Sequence, residues 1–394
     1  MSEPVGTPPG RAGRLARAYR TAAVLALNTA LLFALVNLGA WVALALLTPE
    51  PGPTRYGMER LRRVYPGWSD REIRELLAET WSRTYLYRPF VQHREGPFTG
   101  RYVNVSRHGF RHVADQSPWP PAEDELVVFF LGGSTTYGYG VPDGSTIPSV
   151  AQDLLRERCA RRVSVFNFGG GNFYSEQERA LLSQHLAAGV TPDLAVFVDG
   201  LNEWKTAPKF TARLEYLMTE DEPRLWLRAL KSLPLADLAR LGRDRLLASE
   251  VDPEGAPPDV AAERFAADVV DRWLRHQRAV AALARDFGFE VVFVWQPTPA
   301  WGYDLESHPF LDESREVFAG HEALRHGYDL MELRRHALPQ LSAEAGFLWL
   351  ADLQRGRTEP LYVDAAHYSE AFSREIAARV AGFVAPRLGC DAGM

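Results

Sequence analysis

Residues 126–138 read Leu-Val-Val-Phe-Phe-Leu-Gly-Gly-Ser-Thr-Thr-Tyr-Gly. Six apolar residues stop abruptly at Gly132 and Gly133, and Ser134 follows. A run this short and this apolar reads as a strand buried on both faces rather than as a helix. Two glycines let the backbone turn sharply where the strand ends. Ser134 then sits just past the carboxyl end of a central strand, which is where open α/β sheets bind ligands. Taken alone, Gly-Gly-Ser-Thr is also ordinary turn chemistry.

The same strand-then-turn pattern recurs along the chain. Strands are expected at 126–131, 163–168, 194–198, 290–295 and 347–350, and helices at 146–159, 175–186, 261–287, 329–345 and 369–384. Apolar strands alternating with helices imply an α/β three-layer sandwich, with a mainly parallel five-stranded sheet between helical layers. Residues 207–258 break the rhythm with helical patterns at 224–231 and 235–247 and a Pro/Gly-rich exit. They read as an insertion over the ligand-binding edge of a domain spanning 121–390.

The N-terminal third is different. Residues 1–20 carry Arg11, Arg14, Arg17 and Arg20, with no acid after Glu3. Residues 21–47 hold no charge at all. As a helix they would be about 40 Å long, more than the ~30 Å hydrocarbon core. Signal-peptide apolar regions are much shorter, so this stretch is expected to be one uncleaved transmembrane helix. Arg55, Arg60, Arg62 and Arg63 follow the span, but acids dilute them. The denser basic side places the N-terminal tail in the cytoplasm and the body outside it. Residues 48–120 read as a linker with a helix and hairpin. Ser69 and Glu72 form a capping box that opens a helix to about residue 84. Alternation over 101–111 suggests a short strand or hairpin ending in a glycine turn.

The net charge of −6 over 394 residues argues against a nucleic-acid partner. No Cys/His set has zinc-ligand spacing, and no metal or cofactor is expected. The two cysteines, Cys159 and Cys390, read as isolated thiols; a single bridge stays open if the body is extracytoplasmic.

Three further strand ends carry chemistry. After the second strand, residues 167–177 read Asn-Phe-Gly-Gly-Gly-Asn-Phe-Tyr-Ser-Glu-Gln. Glycines there allow close approach of a ligand, and exposed N–H groups can bind an oxyanion. After the third strand comes Asp199-Gly200-Leu201-Asn202-Glu203, where Asn202 either aims its amide into the same cleft or caps a following helix. After the fourth, Gln296-Pro297-Thr298-Pro299 reads as a structural turn that would let Gln296 line the cleft. Near the C-terminus, Asp364 and His367 stand three residues apart, just before a helix. That spacing puts both on one face of a turn. The carboxylate can then hold Nδ1–H and leave Nε2 free to take a proton from a serine.

This set resembles the SGNH (GDSL-type) hydrolase family. The resemblance rests on four blocks in the family's order: Gly132-Gly133-Ser134, Asn167-Phe168-Gly169, Gly200-Leu201-Asn202 and Asp364-Ala365-Ala366-His367. It implies a flavodoxin-like SGNH fold, with Ser134 as nucleophile, His367 as general base and Asp364 as its orienter. The oxyanion hole it implies is the Ser134 N–H, a block-two N–H from Gly171 or Asn172, and the Asn202 side chain. Gly133 stands where many members have Asp, and Glu203 replaces the block-three acid. With the single span, the resemblance implies a bacterial inner-membrane esterase with a periplasmic catalytic domain. Its expected substrate is an O-acyl (acetyl) group on an envelope or exported carbohydrate, with polysaccharide-assembly proteins as partners. The alternatives are an O-acyltransferase on the same substrates, a lipid esterase, and a non-catalytic carbohydrate-binding or assembly protein that keeps the cleft.

Overall fold

Helix α1 (Arg11–Leu47) is the first element, and it runs through the uncharged stretch. The computed structural model describes residues 11–47, 56–205, 259–312 and 322–390, with Thr54, Phe318 and a few positions between 233 and 242. Of the expected insertion over 207–258, the helical pattern at 224–231 lies outside these residues, and that at 235–247 almost wholly so. The chain divides into two compact units: Met1–Pro51 with Asp221–Glu254, and Gly52–Glu220 with Gly255–Met394.

In the first unit, α1 is 37 residues long and begins ten residues before the uncharged stretch. Its apolar part, Arg14–Leu44, is long and apolar enough to cross a membrane. Side chains such as Leu25, Leu31 and Leu35 are exposed on it. A helix apolar on every face has no polar side to give to water.

The second unit opens with α2 (Met58–Val64) and α3 (Asp70–Trp81). The capping box at α3 forms: Ser69 Oγ accepts from the Glu72 N–H, and a Glu72 carboxylate oxygen accepts from the Ser69 N–H. The helix ends at Trp81, about a turn earlier than expected. Two antiparallel hairpins follow, β1 (Tyr85–Arg88) with β2 (Gln92–Glu95) and β3 (Phe98–Thr99) with β4 (Asn104–Val105). Of the stretch 101–111, where a short strand or hairpin ending in a glycine turn is expected, β4 forms the strand, while its partner β3 lies before that stretch. Leu61, Ile73 and Leu76 of α2 and α3 pack with Val103, Tyr137, Tyr139 and Val363 in one buried cluster. The extension is therefore sewn onto the loops at the strand ends.

The described elements of the sheet domain then alternate between strand and helix. Its elements are β5 (Leu126–Gly132), α4 (Ser134–Tyr137), α5 (Ile147–Arg156), β6 (Val163–Asn167), α6 (Ser175–Ala187) and β7 (Leu194–Asp199). They continue as α7 (Asp259–Phe287), β8 (Glu290–Trp295), α8 (Glu322–Arg335), β9 (Phe347–Trp349) and α9 (Glu370–Val384). The five strands lie in the order β6-β5-β7-β8-β9, and every pair is parallel. The fold is an α/β three-layer sandwich, as the strand–helix alternation implies. Residues alternate along β5 as strand geometry demands. Val127, Phe129 and Leu131 pack toward α6, α7 and α8, and Val128 and Phe130 toward α5 and α9. Each fully buried Phe contributes about 1.5–3 kcal/mol of transfer free energy, so a strand apolar on both faces is held from both sides.

Two expectations need correction. The helix expected at 329–345 is α8, Glu322–Arg335. It starts earlier because Ala323, Leu324, Gly327, Tyr328 and Met331 all face the core. It ends earlier because Pro339 lacks an N–H and cannot continue a helix, so Pro339–Leu341 forms a short 3₁₀ turn instead. The two cysteines are also not isolated thiols: Cys159 and Cys390 form a disulfide, with Cα atoms 4.5 Å apart. Cys159 follows α5 and Cys390 follows α9, and these helices share one layer. Their ends meet only once the sheet is built, so a separation of 231 residues hides the pair from any local reading. Denatured without reductant, the protein should take up no thiol-alkylating reagent, and after reduction both cysteines should label; mass spectrometry of the peptides reads the difference.

Candidate active site

β5 pairs with β6 on one edge and with β7 on the other. Phe130 lies opposite Asn167, and Gly132 opposite Val198. The turns that leave these three strands must therefore open side by side at one end of the sheet, at the switch in strand order where α/β sheets bind ligands. Ser134 is the first residue of α4, after Gly133. A Cβ on Gly133 would land on Asn202 Nδ2, and one on Gly169 would land on the Tyr137 backbone N. Both glycines are required by close approach.

The turn holding Ser134 is fastened from two sides. Asn167 Nδ2 donates to the carbonyls of Thr136 (3.1 Å) and Tyr137 (3.3 Å), and its Oδ1 accepts from the Gly169 N–H. The wholly buried Arg111 donates to the carbonyls of Tyr137, Gly138 and Val141 and pairs with Asp143 at 2.9 Å. A buried arginine is costly unless every donor is engaged, and here it anchors the chain just after the serine.

Ser134, Asp364 and His367 converge although the last two lie more than 200 residues along the chain. His367 Nε2 is 2.8 Å from Ser134 Oγ. His367 Nδ1 is 2.7 Å from Asp364 Oδ2 and 2.9 Å from Oδ1. A carboxylate only accepts, so Nδ1 carries the hydrogen and Nε2 is the acceptor that faces the serine. Asp364 Oδ1 also accepts from the N–H groups of Ala366 and His367, both at 2.9 Å. The turn is closed by Val363 N–H donating to the His367 carbonyl and by Tyr362 pairing with Tyr368. Burial opposes ionisation of Asp364, yet the His367 ring and these bonds hold its carboxyl below the usual range. Tyr139 stacks on the imidazole at 5.1 Å between ring centres, and Trp81 meets its edge at 5.9 Å.

Asn202 does not cap a helix. One hydrogen of its side-chain amide goes to the Phe173 carbonyl at 2.8 Å, and Nδ2 lies over Gly133 beside the serine. Gly171 and Asn172 line the same cavity, of about 190 Å³, with Ser134, His367, Trp81 and Tyr85. The Gly171 N–H donates to Glu95 at 3.2 Å, and the Gly171 carbonyl accepts from His93 Nε2 at 2.8 Å.

Some contributors do more than the sequence indicates, and others escape it. Gln296 does more than line a turn: its Oε1 accepts from Thr135 Oγ1 at 2.7 Å and from the Tyr368 hydroxyl at 3.0 Å. It thus bridges the neighbours of Ser134 and His367. Glu203 accepts from both the N–H and the hydroxyl of Ser175, at 2.9 and 2.8 Å, and so ties the Asn202 turn to the start of α6. Arg83 and Glu95, both side chains buried, pair at 2.7 Å. Arg83 also lies over the rings of Tyr137 and Tyr139. Neither carries a motif in the sequence: Arg83 lies just before the β1–β2 hairpin and Glu95 ends it.

Comparison with known proteins gives a likeness of fold. No protein-family model matches the sequence, and no curated protein does. Solved structures do match. The chain is similar to lipolytic proteins of the G-D-S-L family. A member from Veillonella parvula matches at 11% identity and TM-score 0.34, over 64% of this chain and 95% of its own. The lipase Lip_vut3 from a goat rumen metagenome matches at 11% identity and TM-score 0.40, over 67% and 99%. A mutant of Axe2, an acetyl-xylooligosaccharide esterase from Geobacillus, matches at 13% identity and TM-score 0.35, over 68% and 96%. At such identities and scores the likeness carries no argument about chemistry, which must come from the site's own atoms.

Beneath the Asn202 turn, burial pushes the carboxyls of Glu178, Asp199 and Glu203 above their usual range, and for Glu178 and Glu203 the charge of Asp199 adds to the effect. A carboxyl with a raised folded-state value binds its proton more tightly folded than unfolded. Its stabilisation is complete below the unfolded value and is lost as pH rises through the folded one. The thermal midpoint should therefore fall as pH rises above the ordinary carboxylate range. Glu178→Gln should make that fall shallower, read by melting curves across pH 5–8; an unchanged slope would show that the cluster does not titrate this way.

Proposed function

We propose that this protein is a serine ester hydrolase that works through an acyl-enzyme. One observation carries the reading: the unbroken line from Ser134 Oγ to His367 Nε2 (2.8 Å) and from Nδ1 to Asp364 (2.7 Å). A serine hydroxyl is a weak nucleophile until a base takes its proton. As Oγ attacks the ester carbonyl, its proton passes to Nε2 and the imidazolium is stabilised by Asp364. The oxyanion meets the Ser134 N–H, the second hydrogen of the Asn202 amide and a backbone N–H of the 171–172 turn. His367 then returns the proton to the leaving alcohol. Water, deprotonated by the same Nε2, attacks the acyl-serine and releases the acid. A positioned base contributes roughly 10²–10⁴ in rate, and each oxyanion donor roughly 10²–10³.

The acyl group is small and its alcohol belongs to an envelope or exported carbohydrate. A cavity of about 190 Å³ is below the roughly 300–1,000 Å³ of drug-sized ligand sites, which favours acetyl over a lipid chain. With a sugar hydroxyl in place of water, the same acyl-serine would make an O-acyltransferase. Helix α1 serves as a single membrane anchor with its arginines cytoplasmic, and the body lies outside the cytoplasm. The disulfide supports that side, since such bonds persist in oxidising compartments. The expected partners are the acylated carbohydrate and proteins that assemble it. The domain boundaries given above, with 21–47 as the span and 121–390 as the catalytic domain, belong to the same proposal.

Full-length protein in detergent should react with a fluorophosphonate at Ser134, located by peptide mass spectrometry, and should hydrolyse p-nitrophenyl acetate. Ser134→Ala should abolish both, and Asp364→Asn should cut kcat by roughly 10³–10⁴. A folded Ser134→Ala variant as active as the parent would sink the proposal. A folded parent without adduct or turnover would favour a binding protein that keeps the cleft.

A further inference from the structure

The β1–β2 hairpin lies outside the four sequence blocks, yet two of its buried side chains grip the loop beside the serine. Glu95 accepts from the Gly171 N–H (3.2 Å), and His93 Nε2 meets the Gly171 carbonyl at 2.8 Å. A carbonyl only accepts, so His93 carries its hydrogen on Nε2; burial lowers the His93 pKa and favours this neutral form. Gly171 is thus held at both its N–H and its C=O. A Cβ there would land on the hydroxyls of Tyr85 and Tyr139, so a larger residue would have to displace both.

The peptide plane turns this grip into chemistry. In a trans peptide the C=O and the next N–H point in opposite directions. The Gly171 carbonyl faces His93, so the Asn172 N–H faces the other way, and Asn172 lines the cavity together with Ser134. Asn172 has φ of +62°, a left-handed conformation that asparagine adopts more readily than most non-glycine residues. The Gly171 N–H is engaged by Glu95. The same Glu95 Oε1 also accepts from the Tyr139 hydroxyl at 3.1 Å, and Tyr139 stacks on His367.

We propose that the hairpin is a working part of the site, with His93 and Glu95 as positioning residues that fix the Gly171–Asn172 peptide so that the Asn172 N–H meets the oxyanion. The inference rests on the hydrolase reading above and names which of the two amides serves it. Arg83 keeps the Glu95 carboxylate in place from the side away from Gly171, through its bond to Oε2.

The test uses full-length protein in detergent with p-nitrophenyl acetate, after fluorophosphonate labelling of the parent. His93→Phe keeps a ring against Tyr85 and Phe173, which the imidazole now touches edge-on, but has no donor for Gly171. It should lower kcat about 10-fold or more with KM nearly unchanged, since the lost interaction belongs to the transition state. Glu95→Ala should lower kcat about 100-fold. Glu95→Gln, whose amide oxygen still accepts from Gly171, should recover most of that loss; rescue by an acceptor distinguishes positioning from bulk packing. Folded His93→Phe and Glu95→Ala variants with parental kcat would overturn the inference, as would a loss confined to KM. Should Glu95→Ala fail to fold, the kcat of His93→Phe decides alone. A parent with neither adduct nor turnover overturns the hydrolase reading, and this inference with it.

Discussion

Everything at the site follows from β5 being paired on both edges and packed on both faces. A strand so enclosed has no polar group to spare, and its chain can leave only at the end of the sheet. The flanking strands β6 and β7 run parallel to it, so their turns must leave at the same end. Ser134, the 167–173 loop and Asn202 become neighbours through strand pairing alone, with no specific contact among them needed to recruit one another.

Proximity is coarse, and the remaining ångströms come from polar side chains that have nowhere else to bond. Arg111, Asn167, Gln296 and Glu203 are all buried, and each bonds to a turn that carries a site residue. Leaving a buried donor or acceptor unmade costs about 1–3 kcal/mol, so each of these groups resists any shift of the turn it holds. The aromatic wall of Trp81 and Tyr139 adds a different restraint, confining the imidazole ring while leaving its Nε2 edge toward the serine. The N-terminal extension therefore does more than lead into the sheet domain. Its cluster of Leu61, Ile73 and Leu76 is built around the same Tyr137 and Tyr139 that border the site.

Much of this was legible in the amino-acid sequence. The five strands were, because a strand buried on both faces must be apolar at every position. The start of α3 was, because Ser69 and Glu72 satisfy each other's N–H groups within four residues. Asp364 and His367 were, because their bond is local to one turn. What was not legible had non-local causes. The true start of α8 depends on a face covered by other elements, including Trp204, whose ring lies where a Cβ of Gly327 would stand. Arg83, His93 and Glu95 carry no motif, since a hairpin of polar and aromatic residues looks the same whether it faces water or a loop.

By itself, then, the sequence determined the α/β alternation, the apolar helix near its start, and the residue types needed for an activated serine, because each is written in local periodicity or short spacing. The tertiary structure decided that Cys159 meets Cys390, that Gln296 bridges the two halves of the site, and that Gly171 gives its N–H to Glu95 while Asn172 faces the cavity. Those outcomes depend on which surfaces the sheet brings together and on which hydrogen-bonding groups are left to be satisfied there. No local pattern encodes either.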